Sequence, residues 1–434
     1  MFRKGKEKMS RKNLIQWGRL ALFVVLAVTM LNLGAVVDVV KADDVVNVTF
    51  WGDWGGEGAN QFIVMADAFN ASQDQIKVEY VVQEDMITKF LTASTSGNAP
   101  DIMFWDRWRT AQYAPRGVMM PIHDYMERDG ISPDEFYQEA LRELSWDDNI
   151  YGLPLTVDCR ALFYNKTLLE EAGVEPPTTW EELEQAAIAL TVWDGDRLER
   201  VGFSLEDIGL FSMYLQQAGG QMLTEDGSKT NFNNEKGFEV LNFWDRLINE
   251  DRVYQVGFEE GLGDESDAFV TGKVAMLYTG PWMITTYQKY GQDLDFGIVP
   301  PPAGPRGDRG SMMGGFGLII PTAAEHPDEA WEFMKWWLAE PENALLWAET
   351  SFNIPGNLEA VQDPFFQDDP FWKPILDTLE FAKIRPPYAG YAPMEIDALI
   401  PALQLFRLGE LSAEETLSRA QQDGDAILEM ENLD

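Results

Sequence analysis

Three short clusters near the start of the chain combine indole rings, carboxylates and a guanidinium: Trp51, Asp53, Trp54 and Glu57; then Glu84 and Asp85; then Trp105, Asp106 and Arg107. These residue types suit a polyhydroxylated ligand. A pyranose offers a face of C–H groups that packs on an indole and a rim of hydroxyls that bond to carboxylate, amide and guanidinium groups. The same residues also build ordinary structure. Trp51 and Trp105 serve equally as core aromatics, and Asp53 and Asp106 as helix caps or first-turn carboxylates facing the helix dipole.

Other chemistries have little material. The chain has two histidines, His123 and His326, and one cysteine, Cys159. A histidine-rich metal site, a histidine-centred triad and an internal disulfide are therefore not expected. No Gly-rich lysine loop of the nucleotide-binding kind is present, so no cofactor, metal or catalytic residue is assigned. A secreted carbohydrate-active enzyme working with two carboxylates stays open as a rival, because no sequence spacing rules out an Asp and Glu pair.

The elements that must position these clusters follow from periodicity. Residues 46–50 alternate as a strand and run into a turn at Gly52, Gly55, Gly56 and Gly58. Phe62, Ile63, Met65, Ala66 and Phe69 then recur at helical spacing, and residues 75–82 alternate again. A second helical stretch covers 84–95, and a third strand, 101–105, follows the Asn98-Ala99-Pro100 turn. Tandem βαβ units predict a parallel, doubly wound α/β sheet. Ligands of such sheets bind beyond the carboxyl ends of the strands, where all three clusters fall. Downstream, Thr179 with Glu182 and Ser412 with Glu415 read as capping boxes. The Pro- and Gly-rich residues 300–310 read as a crossover between lobes.

The amino terminus is of another kind. Basic residues from Arg3 to Lys12 precede an apolar run over 20–37, and Val40-Lys41-Ala42 suits a signal peptidase. Residues 1–42 are read as an export signal cleaved before Asp43. The run also approaches bilayer-spanning length, so an uncleaved anchor is the alternative. No cysteine follows it to carry a lipid. The chain holds 33 basic and 72 acidic residues; removing the eight and two of residues 1–42 leaves 25 and 70. Such a surface repels nucleic acid and anionic lipid. It fits solubility in a demanding medium, and a cationic ligand is the sharper reading.

Longer fragments resemble the extracellular solute-binding proteins of ABC importers, specifically the carbohydrate group that includes maltose-binding protein. The fragments are Gly152-Leu153-Pro154-Leu155-Thr156-Val157-Asp158-Cys159-Arg160 running on to Lys166, then Pro176-Pro177-Thr178-Thr179-Trp180-Glu181-Glu182-Leu183; Ala99-Pro100-Asp101-Ile102-Met103-Phe104-Trp105; and Phe269-Val270-Thr271-Gly272-Lys273-Val274-Ala275-Met276 leading to Gly280-Pro281-Trp282. Their order and spacing are specific, and the likeness covers nearly the whole chain after residue 42.

The resemblance implies a two-lobed, type II periplasmic-binding-protein-like fold, each lobe a mainly parallel sheet flanked by helices, with the ligand between lobes. It implies lobe 1 as 43–157 plus 312–353 and lobe 2 as 158–311 plus 354–434. It implies Trp282 and Trp105 as sugar-stacking aromatics, and Asp53 and Asp158 as acceptors from hydroxyls. Arg160 is implied as a neighbour, with a hinge salt bridge as the competing role. Tyr214, Gly314 and Gly315, and Tyr388 and Tyr391 are further positions, the last two competing with a structural proline loop. The implied activity is capture of a sugar or short oligosaccharide outside the membrane by a monomer that hands it to the permease subunits, with a polyamine, amino acid or peptide as the rival solute. On this reading Trp282→Ala and Trp105→Ala each weaken sugar binding with the fold intact.

Overall fold

The computed structural model describes residues 45–263 and 266–431. The signal or anchor assigned to residues 1–42 lies outside the described residues. Strand β1 (Val46–Gly52) leads to helix α1 (Glu57–Ser72), strand β2 (Ile76–Val82), helix α2 (Met86–Ser96) and strand β3 (Ile102–Asp106). These are the expected βαβ units, and β1 pairs in parallel with both β2 and β3. Helix α1 buries Ala59, Phe62, Met65, Ala66 and Phe69. Ile63, expected on that face, is exposed. A turn of about 100° per residue carries it off the stripe that its neighbours occupy.

The chain continues through α3 (Gln138–Glu143), β4 (Gly152–Pro154), β5 (Thr156–Cys159), β6 (Ala161–Asn165), α4 (Trp180–Leu190), α5 (Phe211–Gln217) and β7 (Met276–Thr279). Then come α6 (Met283–Tyr290), β8 (Phe296–Val299), β9 (Met313–Gly314), β10 (Phe316–Ile319), α7 (Pro327–Leu338), β11 (Ile354–Pro355) and α8 (Ala413–Glu431).

Three sheets matter for function. The first has the order β2-β1-β3-β10-β4, with β10 antiparallel to both neighbours. One face packs Val48, Phe50, Ile102 and Phe104 against α1 and α7. The other packs Met103 and Trp105 against Met86 and Phe90 of α2. Asp101 ties this sheet together: its carboxylate accepts from the Thr49 amide at 2.8 Å and from those of Glu325 and His326 at 3.1 and 2.9 Å.

The second sheet, β7-β6-β8, rests on its own large core. Both outer strands run antiparallel to β6, so the expected parallel pairing does not extend here. The third sheet is short: β9 and β11 both pair antiparallel with β5. Along the chain, β5 links the first sheet to the second, and β9 leads back through Gly315 to β10.

Residues 300–310 are packed on the second lobe rather than crossing between lobes. Ala303 pairs with Thr179, and the Gln217 side chain donates to the Gly310 carbonyl at 3.0 Å. The crossing itself falls at β9.

Candidate ligand cleft

Where β5 and β9 leave the first sheet, side chains from several elements enclose a cavity of about 380 Å³, within the usual range for small-molecule sites. Its wall on the first-sheet side is built beyond two strand ends. Past β1, Trp54 sets its ring against Phe104 and Phe316, with centroids 4.9 and 5.3 Å away, and its carbonyl accepts from the Tyr80 hydroxyl at 2.9 Å. At the end of β3, Asp106 accepts from the Trp108 indole N–H at 2.6 Å. Burial raises the Asp106 carboxyl above its ordinary range, opposed by that hydrogen bond and by Arg385, Arg109 and Arg107.

The opposite wall comes from the second sheet and the crossing strands. Trp282 begins the turn into α6, and its ring lies where a side chain on Gly280 would stand. The Arg160 guanidinium sits over that ring at 4.5 Å and bonds Asp158 at 3.3 Å. Arg385 covers the Trp108 ring at 4.4 Å and pairs with Glu395 at 2.7 Å.

The floor is held by a buried arginine. Arg107 donates to the Thr156 carbonyl at the start of β5, to the Gly314 carbonyl of β9 at 2.5 Å, and to Glu143 at the end of α3 at 3.1 Å. Gly315, at φ +126°, leaves room for it: an added Cβ would stand 2.8 Å from the guanidinium and 2.4 Å from the Thr156 carbonyl. The other Glu143 oxygen has no hydrogen-bond partner. Burial pushes this carboxyl up to about 7 in spite of Arg107 and Arg385.

Glu259, whose carboxylate accepts from the Ser204 hydroxyl at 2.5 Å, is also pushed up to about 7 by burial. Both groups have an ordinary value of 4.5. Between these values the native state holds protons that the unfolded chain has released. Their contribution to stability is therefore full below about pH 4.5 and is lost as pH rises through about 7. Urea titration is expected to give a lower midpoint at pH 8 than at pH 5, with a smaller difference in Glu259→Gln. Equal midpoints for the unaltered protein at the two pH values would contradict this.

The structure brings Trp54, Asp106, Asp158, Arg160, Trp282, Gly314 and Gly315 to the cavity. Five other expected positions lie elsewhere. Trp105 is fully buried on the α2 face of the sheet, its indole donating to Thr110 at 3.1 Å and its ring edge-on to Tyr113. Trp51 packs on the same cluster, half-buried. Strand side chains alternate between faces, so a position near a strand end does not by itself aim a ring beyond that end. Tyr214 is a core residue of α5 against Trp244. Asp53 is exposed, and exposed Glu57 pairs with Lys289 of α6 at 2.9 Å. Tyr388 and Tyr391 line a second cavity.

Trp108, Glu143, Met312, Phe316, Asn353 and Arg385 complete the lining without having been singled out. Trp108 and Arg385 each stood next to or within a fragment already quoted. Glu143, on an ordinary-looking helix, carried no local signal.

This is the chain of a binding protein. It belongs to the bacterial extracellular solute-binding protein family, whose profile matches residues 64–373, and membership places it among exported proteins. A putative binding protein of Brucella abortus is 26% identical over 371 residues, 83% of this chain and 88% of that protein. Among solved structures, the mannobiose-bound protein CpMnBP1 is 26% identical with a TM-score of 0.78, over 87% of this chain and 99% of that one. A solute-binding protein of an ABC transporter from Thermotoga lettingae, bound with α-D-tagatose, is 25% identical with a TM-score of 0.78, over 88% of this chain and 100% of that one. The fold is the two-lobed type II periplasmic-binding-protein fold.

Proposed function

We propose that this protein captures a sugar or short oligosaccharide in the cleft at the crossing strands and delivers it to the permease of an ABC importer. The observation that carries this reading is the meeting of three indoles, Trp54, Trp108 and Trp282, with Asp106, Asp158 and Arg160 around one cavity. Indole faces take the C–H side of a pyranose, and the charged groups take its hydroxyls. The mannobiose and tagatose held by the two similar structures support the same ligand class.

The cavity is not simply acidic, since Arg160 and Arg385 stand among its carboxylates. That balance suits a neutral ligand better than a polyamine. No bond is made or broken in this reading: the ligand is bound, the lobes close by hinge motion about the crossing strands, and the monomer presents the closed form to the permease. The lobe limits given above fall within those strands and are kept as the proposal. So are the signal cleaved before Asp43, with an uncleaved anchor as its alternative, and the absence of nucleic-acid binding.

A thermal-shift panel tests it. Tagatose, mannose, mannobiose, maltose and maltotriose are compared with spermidine and single amino acids. A ligand that binds only the native state raises apparent stability, by about 2.7 kcal/mol at a hundred times its Kd. At least one sugar is expected to raise Tm and to be recovered unchanged. A shift with spermidine or an amino acid alone, or breakdown of the sugar, would overturn the proposal.

A further inference from the structure

Beside the central cleft lies a second cavity of about 650 Å³, and Met312 and Arg385 belong to the walls of both. Its polar lining is incomplete within the protein. The hydroxyl of Tyr391, a residue only 1% exposed, has no hydrogen-bond partner, and neither has Oε1 of Gln216 on α5. Buried polar atoms left in this state are destabilising and are ordinarily satisfied by protein, water or ligand. Two aromatic surfaces are held in place around them. Tyr388 donates its hydroxyl to the Glu225 carbonyl at 3.0 Å, and its ring fills the space beside Gly227 that a Cβ would occupy. Phe381 is covered by the Arg309 guanidinium at 3.7 Å.

The charges on this wall nearly balance. Arg142 pairs with Glu139 and Arg385 with Glu395, which leaves Arg309 and Lys383 facing Glu225 and Glu380. A neutral, hydroxyl-rich chain fits such a wall better than an ion of either sign. It would stack on rings fixed in place and supply donors and acceptors to the two orphaned atoms.

We infer that this cavity is an extension of the ligand site, taking the further units of an oligosaccharide whose first units occupy the central cleft. The inference rests on the sugar reading above and narrows it to ligands longer than the central cavity accommodates. The partition is the Arg385 side chain lying on Trp108, and the chain crosses beside it. Gln216 and Tyr391 then act in selecting ligand length.

The test is calorimetric titration of the full-length exported protein with maltose and mannobiose and with their three-, four- and five-unit homologues. Affinity is expected to rise about tenfold or more between two and four units in the series that binds, on the scale of one or two added hydrogen bonds and a ring contact. Gln216→Leu, which removes an orphaned acceptor at nearly constant volume, is expected to weaken four-unit binding about 3- to 10-fold and leave two-unit binding unchanged. Gln221→Trp, an exposed position on the wall of this cavity, is expected to remove the gain by filling the space. Affinity independent of length, or a gain that survives both substitutions, would overturn the extension while leaving the sugar reading in place. Absence of binding at every length in both series would remove the sugar reading and the extension with it.

Discussion

Arg107→Met is expected to lower stability by about 3–5 kcal/mol, the usual consequence of breaking a buried ion pair from one side. The side chain is wholly buried and satisfies three acceptors at once: Glu143 and the carbonyls of Thr156 and Gly314. A methionine fills much of the volume but donates to none of them. The largest part of the loss is the stranded charge of Glu143, whose carboxyl is already pushed up to about 7 by burial. Without the guanidinium that carboxyl becomes harder still to ionise, so the variant is expected to suffer less at pH 6, where Glu143 is protonated, than at pH 8. Arg107→Met with Glu143→Gln should recover part of the loss at pH 8, because the stranded charge is gone while the two carbonyls remain without a donor. Urea titrations of the three proteins at both pH values measure this. A loss below about 1 kcal/mol at pH 8, or no recovery in the double variant, would show that the arginine does not brace the two crossing strands.

Trp282→Ala is expected to weaken sugar binding about 5- to 30-fold, the range of about 1–2 kcal/mol typical of an aromatic anchor. Its ring is only half-buried, is reached from the cavity, and carries the Arg160 guanidinium on one side. Truncation removes the stacking surface and frees Arg160 to move, while the hydrophobic cores stay whole. Trp282→Phe should keep a ring and lose less. Trp105→Ala, expected from the sequence to behave in the same way, is now expected to act through stability. Removing a fully buried indole leaves a cavity, at about 3–5 kcal/mol. Titration with the sugar found by the thermal-shift panel, together with urea midpoints, separates the two effects. Unchanged affinity in Trp282→Ala would take this ring out of the site.

The local elements were legible because their causes are local. The helical spacing of Phe62, Met65, Ala66 and Phe69 and the strand alternation around them need only near neighbours to be read. The Ser412 and Glu415 capping box forms with reciprocal bonds of 2.9 and 3.3 Å. The box at Thr179 is displaced by one residue. Thr179 accepts from the Glu182 amide, but the Glu182 carboxylate takes its hydrogen bonds from the amide and hydroxyl of Thr178. Strand direction in the second sheet was not legible. The partners of β6 arrive more than a hundred residues later, from segments whose own patterns do not say which way they will run.

The sequence by itself determined the opening βαβ units, the scarcity of histidine and cysteine, the acidic surface and, through its long fragments, the family. It also placed Asp158, Arg160 and Trp282 near one another in function. Only the tertiary structure decided which indoles face ligand. Trp54 and Trp105 both follow strands, but one lies past its strand in a turn and the other is inside its strand with a fixed face. Only the tertiary structure could bring Glu143, Arg107 and Gly314 together, because hydrogen bonds across more than two hundred residues depend on how the chain returns. Local patterning fixes what each segment becomes, whereas the convergence of distant side chains depends on the packing of whole elements.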